Sequence, residues 1–289
     1  MKLLRRSGIG LCAVLAGAPA VAADTLPEGA ALPAAYIVAS GAQVLDSRAP
    51  YARRQPASLA KLAGALVILN AAAEKPAVMS TAVTISKRAA ASRGTRLGLR
   101  PGEQVAAGDL LAAMLIGSAN DACLALAEHI AGSGAKFVQR MNTLAVRLKM
   151  SDTRFVDPCG FDQPGQHTTA ADMLRIAYAT LAEPEIVRIV EQPAVRVVTQ
   201  NSGRTLVALN TNALLGRYDG AFGLKTGYTQ QAGQCLIAAA RRGSTVAIVV
   251  ILGGKDRWPV TVALLDAAFD RLTGYPRVRG RSTIGEPDY

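Results

Sequence analysis

The stretch Cys235-Leu-Ile-Ala-Ala-Ala-Arg-Arg-Gly-Ser-Thr-Val-Ala-Ile-Val-Val-Ile-Leu252 decides the fold. Two apolar runs, Cys235–Arg241 and Thr245–Leu252, flank the polar pair Arg242-Gly243, the pattern of a β-hairpin. Upstream, Val195–Thr199 and Ala221–Tyr228 are also strand-like, and downstream Trp258–Leu272 reads as a closing helix. At the other end of the chain, Ala35–Ser40 and Ala42–Arg48 form a second β-prone pair joined at Gly41. The middle is helical. Leu59, Leu62, Leu66 and Leu69 recur at helical spacing, which predicts a buried helix over Ser58–Ala73 just after Pro56. Asp109–Ile116 and Asn120–Ile130 read as helices broken at Gly117-Ser118, and Phe137, Met141, Leu144 and Leu148 stripe another. Thr169 and Asp172 suggest a capping box opening Ala170–Leu181, which ends before Pro184. Strands at both ends with helices between them predict an α+β fold, with the N-terminal hairpin joining the C-terminal strands in one antiparallel sheet.

The chain has 289 residues, half of them apolar, which excludes a disordered protein. No repeat is visible, so solenoids and propellers are excluded as well. Lys2, Arg5 and Arg6, the apolar run Ile9–Ala16 and the small residues Val21-Ala22-Ala23 before Asp24 have the order of a secretory leader over 1–23. Leu11 before Cys12, where a small residue would be expected, argues against a lipoprotein; the alternative is an uncleaved N-terminal anchor. No other segment reaches the roughly 18 uninterrupted apolar residues of a membrane span. The expected organisation is therefore a leader, one catalytic domain over 24–273 with a helical insert over about 58–185, and a loose tail, Gly274–Tyr289, rich in Pro, Gly and charge. The expected location is exported and periplasmic.

The net charge of +11 falls when the leader is removed, but the remainder is still basic. Its cations are dispersed and aromatics make up 4%, so a nucleic-acid groove has little support. Cys123, Cys159 and Cys235 follow the leader. Three cysteines in an oxidising compartment allow one disulfide and a leftover thiol. Cys123, inside the apolar stretch Ala122–Ala127, is expected to be a buried thiol packing as a small hydrophobe.

Elimination narrows the chemistry. Only His129 and His167 are present, so a multi-histidine metal site is impossible, and no HExxH, GxSxG or EF-hand pattern occurs. No metal or other cofactor is expected. Gly223-Leu-Lys-Thr226 has Leu224 where a phosphate loop needs glycine. His129 reads as a helix-end residue and His167 as a turn neighbour.

A serine activated by something other than histidine remains. Ser58-Leu-Ala-Lys61 places a hydroxyl and an amine three residues apart on one helix face. Ser58 falls at the helix start, where free N–H groups favour a developing negative charge. Lys61 could act as a base if burial and a neighbouring cation lowered its pKa by roughly 2–3 units. A second SxxK, Ser133-Gly-Ala-Lys136, lies between helices and reads as an ordinary cap. Ser118-Ala119-Asn120 interrupts two helices, and Lys225-Thr226-Gly227 closes a β-run.

In the order SxxK, SxN, KTG, these motifs resemble the penicillin-recognising serine hydrolases. The wording of Ala57–Leu62, Gly117–Cys123, Phe155–Gly160, His167–Asp172 and Gly223–Thr229 is similar to the low-molecular-mass D-alanyl-D-alanine carboxypeptidases, peptidase family S11. The resemblance covers about Ala34–Leu272. It implies a serine DD-peptidase of the β-lactamase-like fold acting on peptidoglycan stem peptides, with β-lactams as covalent inhibitors. Ser58 would be the nucleophile, Lys61 its base and Ser118 a proton relay to the leaving amine. Asn120 would orient Lys61 and the substrate. Lys225 and Thr226 would bind the terminal carboxylate, with Lys225 also lowering the pKa of Lys61. Gly227 would let the substrate backbone approach, and the N–H groups of Ser58 and Tyr228 would hold the oxyanion. Arg257 is a further candidate for the carboxylate. Ala119 stands where the family usually has glycine, and Cys159 where it often has histidine.

Many relatives continue into a β-rich second domain and an amphipathic anchor. With the chain ending at Tyr289, the expectation is a soluble enzyme without either, and without a membrane span after leader cleavage. The alternatives are a DD-endopeptidase cleaving cross-links with the same residues, a β-lactamase, for which no deacylating carboxylate is evident between Ser118 and Lys225, and a non-catalytic wall-binding module, which would leave the three ordered motifs without a purpose.

Overall fold

The computed structural model describes Leu26 and residues 29–273. The expected leader, 1–23, and tail, 274–289, lie outside the described residues. The chain opens with the hairpin β1 (Ala35–Ser40) and β2 (Gln43–Arg48). A 3-10 turn, Ala57–Leu59, leads into α1 (Ala60–Glu74). Next come β3 (Ala82–Thr84), α2 (Lys87–Ala90), β4 (Gln104–Ala106), α3 (Ala107–Ile116), α4 (Asn120–Ala131) and α5 (Gly134–Arg147). After a loop follow α6 (Ala170–Leu181), α7 (Pro184–Val190), β5 (Ala194–Val198) and β6 (Thr205–Leu209). The strands β7 (Ala221–Thr229), β8 (Gly233–Arg242) and β9 (Thr245–Gly254) precede the closing helix α8 (Arg257–Thr273).

The main sheet has the order β2-β1-β9-β8-β7, antiparallel throughout, so the two ends of the chain meet as the sequence predicted. The turn between β8 and β9 is Gly243-Ser244, one residue later than read from the sequence, because Arg242 still pairs with Thr245.

Period-2 alternation distributes the central strands between two cores. Ile37, Ala39, Ile237, Ala239, Ile248 and Val250 face the helical region, packing with Leu59, Leu62 and Leu66. Tyr36, Val38, Leu236, Ala238, Val249 and Ile251 face α8 and pack with Trp258, Leu265 and Phe269. Covering both faces explains why β8 and β9 read as continuous apolar runs rather than alternating ones. All of Ala60–Ile68 is buried, Lys61 included, so the first half of α1 is a central helix with no solvent face. Ala57–Glu74 is the one stretch among the described residues long and apolar enough to cross a membrane, and most of it is buried inside the fold.

Val195–Thr199 does not extend the main sheet. Its strand, β5, pairs with β6 in a separate two-stranded sheet, leaving β7 at the edge. β6 was not evident from the sequence because Val207 and Leu209 occupy its exposed positions and blur the alternation. Ser133 caps α5, accepting the Lys136 N–H at 3.2 Å, which accounts for the second SxxK. Half of the expected capping box forms. Thr169 Oγ1 accepts the Asp172 N–H at 3.1 Å, while Asp172 turns to the Asp152 N–H and the Thr153 hydroxyl. His129 lies in the last turn of α4, and a ring nitrogen of His167 lies 3.0 Å from the Gly165 carbonyl oxygen.

Candidate active site

Ser58 sits in the 3-10 turn that starts α1, half-buried, and the turn is reached through Ala57, whose φ of +48° is a left-handed conformation costly for an alanine. Two glycines make that turn possible. A Cβ on Gly160, itself at φ +93°, would lie 1.9 Å from the Ala57 carbonyl oxygen; one on Gly227 of β7 would lie 3.0 Å from the Ser58 nitrogen. The loop Phe155–Phe161 and the edge strand β7 therefore press directly on the serine turn, and any side chain at either position would push them away.

One turn into α1, Lys61 is fully buried. Its Nζ lies 2.8 Å from Ser58 Oγ, 2.8 Å from Asn120 Oδ1 and 2.7 Å from the Cys159 carbonyl oxygen. Burial brings its pKa down from the ordinary lysine value to about 7, against the opposing pull of the Asp157 carboxylate. A substantial fraction of this amine is thus uncharged at neutral pH.

Each partner of Lys61 is itself fixed. Asn120 begins α4; its Nδ2 donates to the Arg93 carbonyl and its backbone N–H to the Thr95 carbonyl, both at 2.8 Å. Those carbonyls belong to a loop that the buried Asp121 holds by accepting the N–H groups of Leu97, Gly98 and Leu99. The Cys159 carbonyl is presented by a second loop, in which Asp157 Oδ1 accepts the N–H groups of Cys159, Gly160 and Phe161 at 2.8–3.0 Å. Gln166 Oε1 takes the Val156 and Asp157 N–H groups of the same loop.

Cys123, in the first turn of α4, is joined to Cys159 by a disulfide with a Cα–Cα distance of 5.9 Å. This corrects the expected free thiol at Cys123. The cysteines are 36 positions apart in the chain, and that spacing gave no sign that α4 and the loop fold back within bridging distance. Cys235 is the buried free cysteine.

Ser118 lies in the turn between α3 and α4, buried and at φ +56°, a second left-handed non-glycine residue at this site. Thr211 ties that turn to β7. Its N–H donates to the Ile116 carbonyl at 3.0 Å, and its hydroxyl lies 2.6 Å from the hydroxyl of Thr226. Lys225 is buried and its Nζ has no hydrogen-bond partner among the described residues. Burial, then the charges of Lys61 and Arg257, hold its pKa well below the usual lysine range. The repulsion expected between Lys225 and Lys61 is mutual, so the two amines do not both carry a full charge comfortably at neutral pH. Arg257 opens α8, buried, with Nη1 donating to the Gly227 carbonyl at 3.2 Å. Tyr228, by contrast, is 63% exposed.

The structure thus gathers Ser58, Lys61 and Asn120 into direct contact, brings Gly227 against the serine turn, and links Thr226 to the Ser118 turn through Thr211. Sequence reading missed the Arg93 and Cys159 carbonyls, Asp121, Asp157 and Thr211. Backbone acceptors carry no residue signature, and only the Phe155–Gly160 wording pointed toward that loop. Beside these residues a groove of about 760 Å³ opens between Arg93, Gly94, Phe161, Gln163, Thr229 and Gln230. Thr229 donates to Asp162 at 2.6 Å, and both line the groove. Among the described residues no group of three or more His, Cys, Asp or Glu side chains gathers to hold a metal.

A family model described as D-alanyl-D-alanine carboxypeptidase matches residues 21–256. The chain is 33% identical to the D-alanyl-D-alanine carboxypeptidase DacF of Bacillus subtilis, over 84% of this chain and 63% of that protein. It therefore spans a little under two thirds of that relative. A solved D-alanyl-D-alanine carboxypeptidase from Mycobacterium tuberculosis is 31% identical, with a TM-score of 0.75 over 84% of this chain and 92% of that one. Penicillin-Binding Protein D2 from Listeria monocytogenes, solved in its ampicillin-bound form, is 29% identical, with a TM-score of 0.73 over 84% of this chain and 100% of that one.

Proposed function

The chain belongs to the D-alanyl-D-alanine carboxypeptidase family, peptidase S11, and from that membership we propose that it hydrolyses the terminal D-Ala-D-Ala bond of peptidoglycan stem peptides through an acyl-enzyme on Ser58. The observation that carries this reading is the buried amine of Lys61, 2.8 Å from Ser58 Oγ with a pKa near 7.

A neutral amine has two N–H groups and one lone pair. Asn120 Oδ1 and the Cys159 carbonyl can take the two N–H groups, which leaves the lone pair for the Ser58 proton. As Ser58 Oγ bonds to the penultimate D-alanine carbonyl carbon, its proton passes to Lys61 Nζ and the carbonyl oxygen becomes an oxyanion. The N–H groups of Ser58 and Tyr228 receive that charge, at a turn that the close approach of Gly227 holds beside β7. Collapse breaks the C–N bond, and the leaving D-alanine amine takes the proton from Lys61 through the Ser118 hydroxyl. Water, deprotonated by Lys61, then cleaves the ester and restores Ser58.

Lys225 and Thr226 hold the terminal carboxylate. An arriving anion favours the ammonium form of a buried amine, so Lys225 gains its charge where the carboxylate can use it. The groove beside Arg93 and Phe161 receives the remainder of the stem peptide. β-Lactams, which mimic the D-Ala-D-Ala end, acylate the same serine and leave slowly. Its catalytic domain is exported to the periplasm behind the leader at 1–23.

Labelling with a fluorescent penicillin tests the reading. Wild-type protein is expected to form a covalent adduct and to release D-alanine from a stem pentapeptide, and Ser58→Ala is expected to lose both. Labelling that persists in Ser58→Ala, or that moves to Ser133, overturns it.

A further inference from the structure

The disulfide between Cys123 and Cys159 takes no part in the chemistry above, yet both its ends lie within a few bonds of it. Cys159 supplies the carbonyl that Lys61 Nζ approaches at 2.7 Å. Cys123 lies three residues after Asn120 in the first turn of α4, and Asn120 Oδ1 is the other carbonyl oxygen on Nζ, at 2.8 Å. The disulfide therefore joins the helix whose first residue carries one acceptor to the loop that presents the other. Those acceptors come from separate segments, a helix start and a loop, whose local anchors, Asp121 for one and Asp157 for the other, do not join them to each other. Among the described residues the disulfide is the covalent link between them.

Their spacing matters because of what a neutral amine can do. With both N–H groups engaged, the lone pair has one direction left, toward Ser58. If either acceptor drifts, the amine can rotate an N–H onto Ser58 Oγ, and the base then presents a donor to the proton it should take. A displacement of about 1 Å at such a step costs on the order of a hundredfold in rate.

We propose that Cys123 and Cys159 are a positioning pair for the proton transfer, their disulfide holding Asn120 Oδ1 and the Cys159 carbonyl at a fixed spacing around Lys61 Nζ so that acylation is fast only in the oxidised enzyme. The inference rests on the serine-peptidase reading above. A dithiol reductant opens the clamp. One thiolate attacks a protein sulfur, the second displaces the mixed disulfide, and the protein ends with two thiols while the reductant becomes a cyclic disulfide. Cys123 and Cys159 are 1% and 3% exposed, which makes that reduction slow and the oxidised form persistent. Cys235 does not compete. It is buried, and burial pushes its thiol up to about 11, so little thiolate is present at neutral pH.

The test compares wild type, dithiothreitol-reduced wild type and the double variant Cys123→Ala/Cys159→Ala in penicillin acylation from pH 6 to 10. Near-UV circular dichroism on each sample reports the fold. Acylation is expected to fall on the order of tenfold to a hundredfold in the reduced and variant proteins while the noncovalent dissociation constant stays within about twofold. The midpoint of the pH profile is expected to move, because the two carbonyl oxygens on Lys61 Nζ set part of the balance between its neutral and charged forms. The charged groups around Lys61 are Asp157 in the loop, which raises its pKa, and Lys225 on β7, itself lowered by Lys61 and by Arg257 of α8. Reoxidation restores the rate of wild type, and reductant does not change the double variant. A folded double variant with the wild-type rate and midpoint overturns the proposal, as does a loss of rate that only follows loss of the near-UV signal. Failure of wild type itself to acylate at Ser58 would instead remove the functional reading on which it rests.

Discussion

The two faces of the central sheet are built from alternate residues of the same strands, yet they bury different chemistry. On the α8 face, Leu236, Val249 and Ile251 meet Trp258, Leu265 and Phe269 in a cluster of hydrophobic residues. On the other, the helical core surrounds a set of buried polar groups: Lys61, Ser118, Asn120, Asp121, Lys225 and Thr226. Hydrophobic burial on the first face needs only volume and shape. On the second, each buried polar group needs a partner or costs stability, which is why Asp121 and Asn120 are saturated with backbone hydrogen bonds. Lys225 Nζ is left without such a partner among the described residues, and in the proposed mechanism it is the group that binds the substrate carboxylate. Stability and reactivity are thus separated across one sheet.

That separation can be broken at Lys61. Lys61→Met should cut acylation by about 10²–10⁴-fold while keeping the protein folded, since methionine fills much of the volume of the buried lysine stem. It should also change the pH dependence of stability. The folded pKa near 7 lies below the unfolded value, so between about 7 and 10.5 the unfolded chain binds more protons and wild-type stability rises with pH. Below that window the buried site must accept a charge. The variant lacks this term, so its stability advantage should be greatest at pH 7 or lower and shrink toward pH 10. Urea melts at three pH values measure this, and a pH-independent difference would contradict the burial argument.

The opposite face should respond the opposite way. Leu265→Ala, in the α8 cluster, should lower stability by about 2–5 kcal/mol yet leave acylation by penicillin unchanged at temperatures where the protein is folded. A rate that falls in proportion to stability would show the two faces to be coupled. The smallest effect belongs to the second SxxK. Ser133→Ala removes the cap of α5, costing about 1 kcal/mol in denaturant melts, with labelling intact. Loss of labelling there would transfer the chemistry to the wrong serine.

The motif Ser58–Lys61 was legible because helical spacing alone puts a hydroxyl beside an amine. The same rule gave Ser133–Lys136, and only the surroundings separate them. One pair lies at the N-terminus of a helix whose first half is buried on every side, the other at a surface cap. The central hairpin was equally legible as two apolar runs around a turn, although its turn falls one residue later than the polar pair suggested. β6 was not, because its exposed valine and leucine hide the alternation.

By itself, the sequence determined the long helices, the main-sheet strands and which side chains could be nucleophile and base, because periodicity and residue chemistry act over a few positions. The tertiary structure alone decided that burial brings the Lys61 pKa down to about 7, that the carbonyls of Arg93 and Cys159 fix Asn120 and Lys61, and that Cys123 meets Cys159. Those depend on burial and on backbone atoms brought together from distant segments, and neither is encoded in any single residue's identity.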